Sequence, residues 1–107
     1  MKAKRQSEPF AAAGVGRFLT ALGDPTRQRI VALLSSERLN VGRLAERVEL
    51  SQPAVSHHLK ILVDAGVLRE ERKGRERVYR LDPGCCQGLV EELRSFVSNC
   101  CAKARCC

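Results

Sequence analysis

No stretch of this 107-residue chain approaches the ~18–20 consecutive apolar residues that a membrane-spanning helix requires. The Met1-Lys-Ala-Lys-Arg5 start is not followed by the apolar core of a secretory leader. Together these absences set the expectation of a cytoplasmic protein with no membrane partner. No segment repeats at a fixed period and no low-complexity linker divides the chain, so the length fits one domain with a modest core. Histidine occurs only twice, at His57 and His58. Cysteine is missing until residue 85 and then appears six times. In a reducing compartment those six read as metal ligands or redox thiols more readily than as disulfides.

What the chain does have is positive charge. Nineteen Lys and Arg against twelve Asp and Glu leave +7. Arginine predominates, and its planar guanidinium favours bidentate contact with phosphate or guanine. A basic balance points to a polyanion partner without saying which one.

The stretch Ser51-Gln-Pro-Ala-Val-Ser-His-His-Leu-Lys-Ile-Leu-Val-Asp-Ala-Gly66 organises the rest. Ser51 can accept from a free first-turn amide, Pro53 falls where a missing N–H costs little, and Gly66 supplies the stop. Val55, Leu59 and Leu62 recur at i, i+4 and i+7 and form an apolar face. Pro53, Ser56, His57, Lys60 and Asp64 lie opposite, with Gln52 at the leading end. That polar, donor-rich face suits a helix laid into a DNA major groove; a solvated amphipathic helix is the plain alternative.

Before it, residues 1–8 read as a flexible basic arm. From Pro9 a first helix carries Val15, Phe18, Leu19 and Leu22 as its stripe, with Gly14 and Gly16 weakening it or allowing close approach of another backbone. Asp24-Pro25 starts a second helix that buries Ile30, Leu33 and Leu34. Asn40 caps a third, with Val41, Leu44, Ala45 and Val48 on one face. Two short helices joined by Glu49-Leu50 make a helix-turn-helix. After Gly66 the period changes to 2, and residues 67–81 read as a β-hairpin with a charged tip over 74–77. Charge can serve simply to protect a ribbon edge. Directly after a helix-turn-helix, the better reading is a wing whose Arg75 and Arg77 meet phosphate or the minor groove. Asp82-Pro83 opens a last helix with Leu89, Leu93 and Phe96 as its stripe, flanked by Val90 and Val97 and running into Cys100 and Cys101.

The element order, with Asp24-Pro-Thr-Arg-Gln-Arg-Ile30, Ser56-His-His-Leu-Lys60 and Ala65-Gly-Val-Leu68, resembles the ArsR/SmtB family of metalloregulatory repressors over about residues 15–100. The resemblance implies a mainly α winged helix-turn-helix with a small β-hairpin. It implies a homodimer joined through the first and last helices, which binds double-stranded operator DNA and leaves it when a metal or metalloid binds. On this basis residues 9–101 form the DNA-binding and dimerisation domain and 102–107 a cysteine-containing tail. By position, Ser51, Gln52, Ser56 and His57 match base or phosphate contacts. His58 matches the family histidine but borders the core, so a structural histidine competes with a DNA contact. The family's best-known arsenic sensors place Cys-x-Cys at the third helix; here Leu39-Asn-Val-Gly42 holds no thiol. Its zinc sensors place Asp and His ligands along the last helix; here no histidine follows His58. The tail Asn99-Cys100-Cys101-Ala-Lys-Ala-Arg-Cys106-Cys107 instead resembles an arsenic-responsive subgroup.

Cys100 and Cys101 lie about 100° apart around a helix, so a helix end must unwind to bring a third sulfur, from Cys106 or Cys107, to one ion. Three thiolates without imidazole or carboxylate suit a soft, thiophilic centre. Trivalent arsenic, as arsenite, is the expected inducer, with antimonite close behind. Lys103 and Arg105 are expected to raise the thiolate fraction. Zinc, cadmium or lead on Cys100, Cys101, Cys106 and Cys107, or a redox switch, are the rivals. Cys85 and Cys86 form a further pair in the opening turn of the last helix, where the dipole is expected to favour thiolate. They lie roughly 22 Å from Cys100 at ~1.5 Å per residue. One chain cannot join the two pairs, but antiparallel last helices of a dimer could bring a thiol of each together for methylarsenite. An incidental surface pair is the alternative. Cys100 also has Arg105 five residues on, the spacing of a reductase oxyanion loop, but without that loop's glycines. The chain is not expected to be an enzyme.

Overall fold

Aspartate followed by proline occurs twice, and each time a helix begins. Asp24 accepts a bond from the Arg27 amide at 3.0 Å and Asp82 from the Cys85 amide at 3.2 Å, with the proline in the first turn. The carboxylate satisfies an orphan amide, and proline has none to lose. That amide bond is the main reason the Asp24 carboxyl sits below its ordinary range. The computed structural model describes residues 13–104. The expected basic arm at 1–8, the expected helix start at Pro9, and Cys106 and Cys107 lie outside the described residues.

Five helices and three strands follow in order among the described residues: α1 (Ala13–Leu22), α2 (Pro25–Leu34), β1 (Leu39–Asn40), α3 (Val41–Val48), α4 (Gln52–Asp64), β2 (Leu68–Lys73), β3 (Glu76–Leu81) and α5 (Pro83–Lys103). This is a winged helix-turn-helix. The antiparallel sheet has strand order β1-β3-β2, with Leu39 opposite Tyr79 and Leu68 opposite Leu81. The strand β1 was not anticipated, because two residues are too few to show a period. The hairpin tip is also tighter than expected. Lys73 pairs with Glu76, leaving a two-residue turn of Gly74 and Arg75, so Glu76 and Arg77 belong to β3. Gly74 supplies the positive φ, 65°, that such a turn demands of its first position.

The core gathers Ile30 and Leu34 of α2, Leu44 and Val48 of α3, and Val55, Leu59 and Leu62 of α4. Val67 and Leu68 close it from the sheet side. Each such side chain contributes about 1.5–3 kcal/mol by leaving water. All three apolar positions assigned to α4 are buried. The stripes of the outer helices are not. On α1, Val15, Phe18 and Ala21 are buried while Leu19 is 49% exposed; on α2, Leu33 is only half-buried. On α5, Leu89 alone is buried; Leu93 and Phe96 are half-buried, and Val90 and Val97 are 50% and 46% exposed. Helical period identifies an apolar face without showing whether one chain covers it. Gly14 does permit the close approach expected of it: a methyl there would stand 3.2 Å from Leu89 Cδ2, so α1 and α5 meet at this glycine. Gly16 faces open space.

Candidate nucleic-acid interface and thiol sites

The helix α4 is defined at both ends by its own sequence. Ser51 accepts from the Ala54 amide at 3.2 Å, and Pro53 lies in the first turn. At the far end Gly66, at φ 85°, donates to Val63 O at 3.0 Å and Val67 to Leu62 O at 3.0 Å. These are the paired bonds of a Schellman stop, which requires a left-handed residue that glycine adopts without strain. Glu49 ends α3 in the same conformation, at φ 57° and ψ 48°, and turns the chain sharply toward α4.

With Val55, Leu59 and Leu62 facing inward, Ser51, Gln52, Pro53, Ser56, His57 and Lys60 are all exposed. They form one continuous polar surface along the helix. Lys60 reaches Asp64 at 4.0 Å, a pair so exposed that it holds Lys60 only weakly. His58 is placed differently. It is half-buried, and its Nδ1 lies 3.1 Å from Arg27 Nη1. Of the two roles open to His58, the geometry favours the structural one.

Arg27 is the residue that the sequence reading missed. Beyond His58, its Nε donates to Ala21 O at 2.7 Å and its Nη2 to Thr20 O at 3.2 Å. Gln28 Nε2 donates to Leu22 O at 2.7 Å. Two side chains from the start of α2 therefore donate to the last carbonyls of α1, of which Thr20 O also accepts from the Gly23 amide at 3.3 Å. The available signal was Arg and Gln soon after Gly23, where a helix has just stopped.

In the wing, Arg75 sits at the exposed tip. Arg77 is also exposed but pairs with Glu70 at 3.2 Å. Arg80 and Arg38 converge on Glu71 at 2.6 and 3.5 Å, and the Arg80 bond is the main cause holding that carboxyl below its ordinary range. Arg77 and Arg80 are thus engaged by carboxylates of the wing itself. Arg72 and Arg75 make no ion pair among the described residues.

The two cysteine pairs within the described residues differ. Cys100 and Cys101 are exposed in the last turn of α5. Cys85 and Cys86 are half-buried where α5 begins. The Cys86 thiol donates to Val67 O at 3.5 Å, and a methyl on Gly66 would stand 2.5 Å from Cys85 Sγ. The helix-start effect expected to favour thiolate here is overruled for Cys86. Burial pushes its thiol up, and the neighbouring Cys85 and Asp82 add to this. Because α5 is unbroken from Pro83 to Lys103, one chain cannot bring the two pairs together. No group of three His, Cys, Asp or Glu side chains able to hold a metal ion occurs among the described residues.

A capped helix with an exposed polar face, preceded by a short helix and followed by a β-wing, defines a DNA-binding protein of the winged helix-turn-helix class. Residues 24–70, from the cap of α2 into β2, match the family described as bacterial regulatory protein, arsR family. The transcriptional repressor SdpR of Bacillus subtilis is 36% identical over 79 residues, 74% of this chain and 88% of its own length. The arsenic resistance transcriptional regulator ArsR1 of Pseudomonas putida is 42% identical over 77 residues, 71% of this chain and 60% of its own. The crystal structure of a possible transcriptional regulator for arsenical resistance superposes with TM-score 0.65 at 37% identity, covering 80% of this chain and 94% of that one. This chain belongs to the ArsR family and is a DNA-binding transcriptional repressor, not an enzyme. No described helix is long and apolar enough to cross a membrane. The family match ends at residue 70, before the first cysteine.

Proposed function

We propose that this repressor acts as a homodimer, joined through α1 and α5, and is released from its operator when trivalent arsenic binds thiolates at the end of α5. The observation that carries the reading is the exposed Cys100-Cys101 pair on a helix whose apolar residues Val90 and Val97 remain half exposed in one chain. A second copy that covers those residues would place the thiols at the margin of the dimer interface. The pair fits a soft ligand: two free sulfurs lie in one turn, beside Asn99 and Lys103. With no third ligand beside them among the described residues, the site takes its third sulfur from Cys106 or Cys107. Arsenite is the ligand this reading selects, with antimonite next. It agrees in kind with the arsenical-resistance regulators that the chain resembles.

In this reading α4 enters the major groove. Ser51, Gln52, Ser56 and His57 face base edges or phosphates, while Arg75 and Arg77 reach the backbone or minor groove from the wing. Two α4 helices must match half-sites about one helical turn, ~34 Å, apart. Drawing three sulfurs around one arsenic deforms the end of α5 and so alters how two copies pack. Because α1 packs on both α5 and α4, that change alters the spacing of the two α4 helices. Release by ~100-fold requires about 2.7 kcal/mol of coupling.

The test is a DNA-release titration of the full chain with arsenite, methylarsenite, antimonite, zinc and cadmium side by side. Arsenite and antimonite are expected to release the operator at the lowest concentrations. Release by zinc or cadmium alone would overturn the choice of ligand, and preference for methylarsenite would move the site to two thiols including Cys85 or Cys86.

A further inference from the structure

The guanidinium of Arg27 touches two helices at once. Through Nε and Nη2 it holds Ala21 O and Thr20 O at the end of α1, and through Nη1 it meets His58 Nδ1 on α4 at 3.1 Å. Its own backbone is fixed at the start of α2 by the Arg27 amide bond to Asp24. Arginine only donates, so Nδ1 of His58 must be the acceptor. The contact therefore requires an imidazole with Nδ1 bare and its proton on Nε2. Three donors in one rigid plane fix the end of α1 and the middle of α4 relative to each other.

Apolar packing alone locates α4 less strictly. Val55, Leu59 and Leu62 resist withdrawal from the core, but a hydrophobic contact is not directional and tolerates small rotations about the helix axis. His58 sits at the edge of that buried face, beside exposed His57, where a rotation would be felt first. A directional bond at that edge sets the angle at which the exposed residues point. Direct base recognition depends on hydrogen-bond geometry, whereas attraction to phosphate tolerates rotation of a few degrees.

We infer that Arg27 is a positioning residue for operator recognition: acting through His58, it fixes the rotation of α4 and so serves discrimination among sequences, not attraction to DNA in general. The inference rests on the reading of α4 as the base-reading helix.

The experiment measures affinity of the full chain for operator and random duplex, with thermal stability recorded alongside. The variants are His58→Ala, His58→Gln, Arg27→Gln, the double variant His58→Ala/Arg27→Gln, and Gln52→Ala as an independent marker of base reading. His58→Ala is expected to lower the operator-to-random ratio about tenfold by weakening operator binding, with random-duplex affinity changed less than about twofold. His58→Gln, which offers Arg27 an acceptor, restores most of the ratio. The double variant is expected to discriminate no worse than Arg27→Gln alone, since both changes break one contact. Independent, additive losses would show that His58 meets DNA directly and overturn the inference. An unchanged ratio in His58→Ala overturns it too. In that case a lowered ratio in Gln52→Ala leaves the α4 reading standing, and an unchanged one removes that reading as well. A loss that follows thermal stability across the variants and reaches both duplexes equally makes Arg27 a structural residue only, which also overturns it.

Discussion

Cys85-Cys86 and Cys100-Cys101 are the same dipeptide on the same helix, yet they meet different surroundings. The first pair is wedged against the turn that ends α4, with one sulfur under Gly66 and the other donating to Val67 O. The second is exposed in the last turn of α5. A thiol serves as ligand or nucleophile in proportion to its exposure and thiolate fraction. By exposure, one pair is packed into the fold and the other is open to solvent.

The largest expected effect separates the pairs by response. Cys100→Ser or Cys101→Ser should keep operator affinity and lose the ~100-fold arsenite release expected above, whereas Cys85→Ser and Cys86→Ser should still be released. Full release of the Cys100→Ser/Cys101→Ser protein by micromolar arsenite would reverse the assignment and make residues 85–86 the candidate site.

Next comes the contact that makes the first pair structural. Gly66→Ala must place a methyl 2.5 Å from Cys85 Sγ at φ 85°. Overpacking of about 1–3 kcal/mol adds to about 1–2 kcal/mol for a left-handed alanine, and denaturant unfolding reads the sum. Adding Cys85→Ala should recover the overpacking part and leave the backbone part. If it recovers nothing, the sulfur and the turn are not in contact.

A smaller contrast is expected in labelling. Near neutral pH, iodoacetamide should modify Cys100 and Cys101 on the order of tenfold faster than Cys86, given the exposure and thiolate dependence of thiol reactivity. Strong denaturant should remove the difference. Equal rates in the native protein would dissolve the distinction between the pairs.

The smallest effect is on stability against pH. The Cys86 thiol titrates higher in the folded chain than unfolded, chiefly because burial penalises its charged form. Its contribution is therefore fully present below the unfolded thiol value and is lost as pH rises through the folded one. Stability should decline across that alkaline window, and Cys86→Ala should flatten the decline. An unchanged slope in that variant would show that Cys86 does not cause it.

Local signals were read correctly wherever the physics is local. Ser51, Asn40, Asp24 and Asp82 each cap the helix expected of them, because a cap needs only an acceptor and an amide three residues on. The buried face of α4 was equally legible from its period. The wing was legible in type but not in its turn, since register depends on which residues pair across the strands. Leu19, Val90 and Val97 were assigned to apolar stripes that a single chain leaves exposed. Period reports a face and not its cover.

By itself, then, the sequence determined the punctuation of the helices, the polar outer face of α4, the excess of arginine and the clustering of cysteine after residue 84. All of these follow from side-chain chemistry within one or two turns of chain. The tertiary structure decided which of those groups are free to act. It turned His58 onto Arg27 across 31 positions of sequence, set Glu70 against Arg77, and brought Gly66 and Cys85 into contact. Such pairings arise because the fold sets separate segments side by side, and the burial, ion pairing and thiol ionisation that follow are properties of the place a residue comes to occupy.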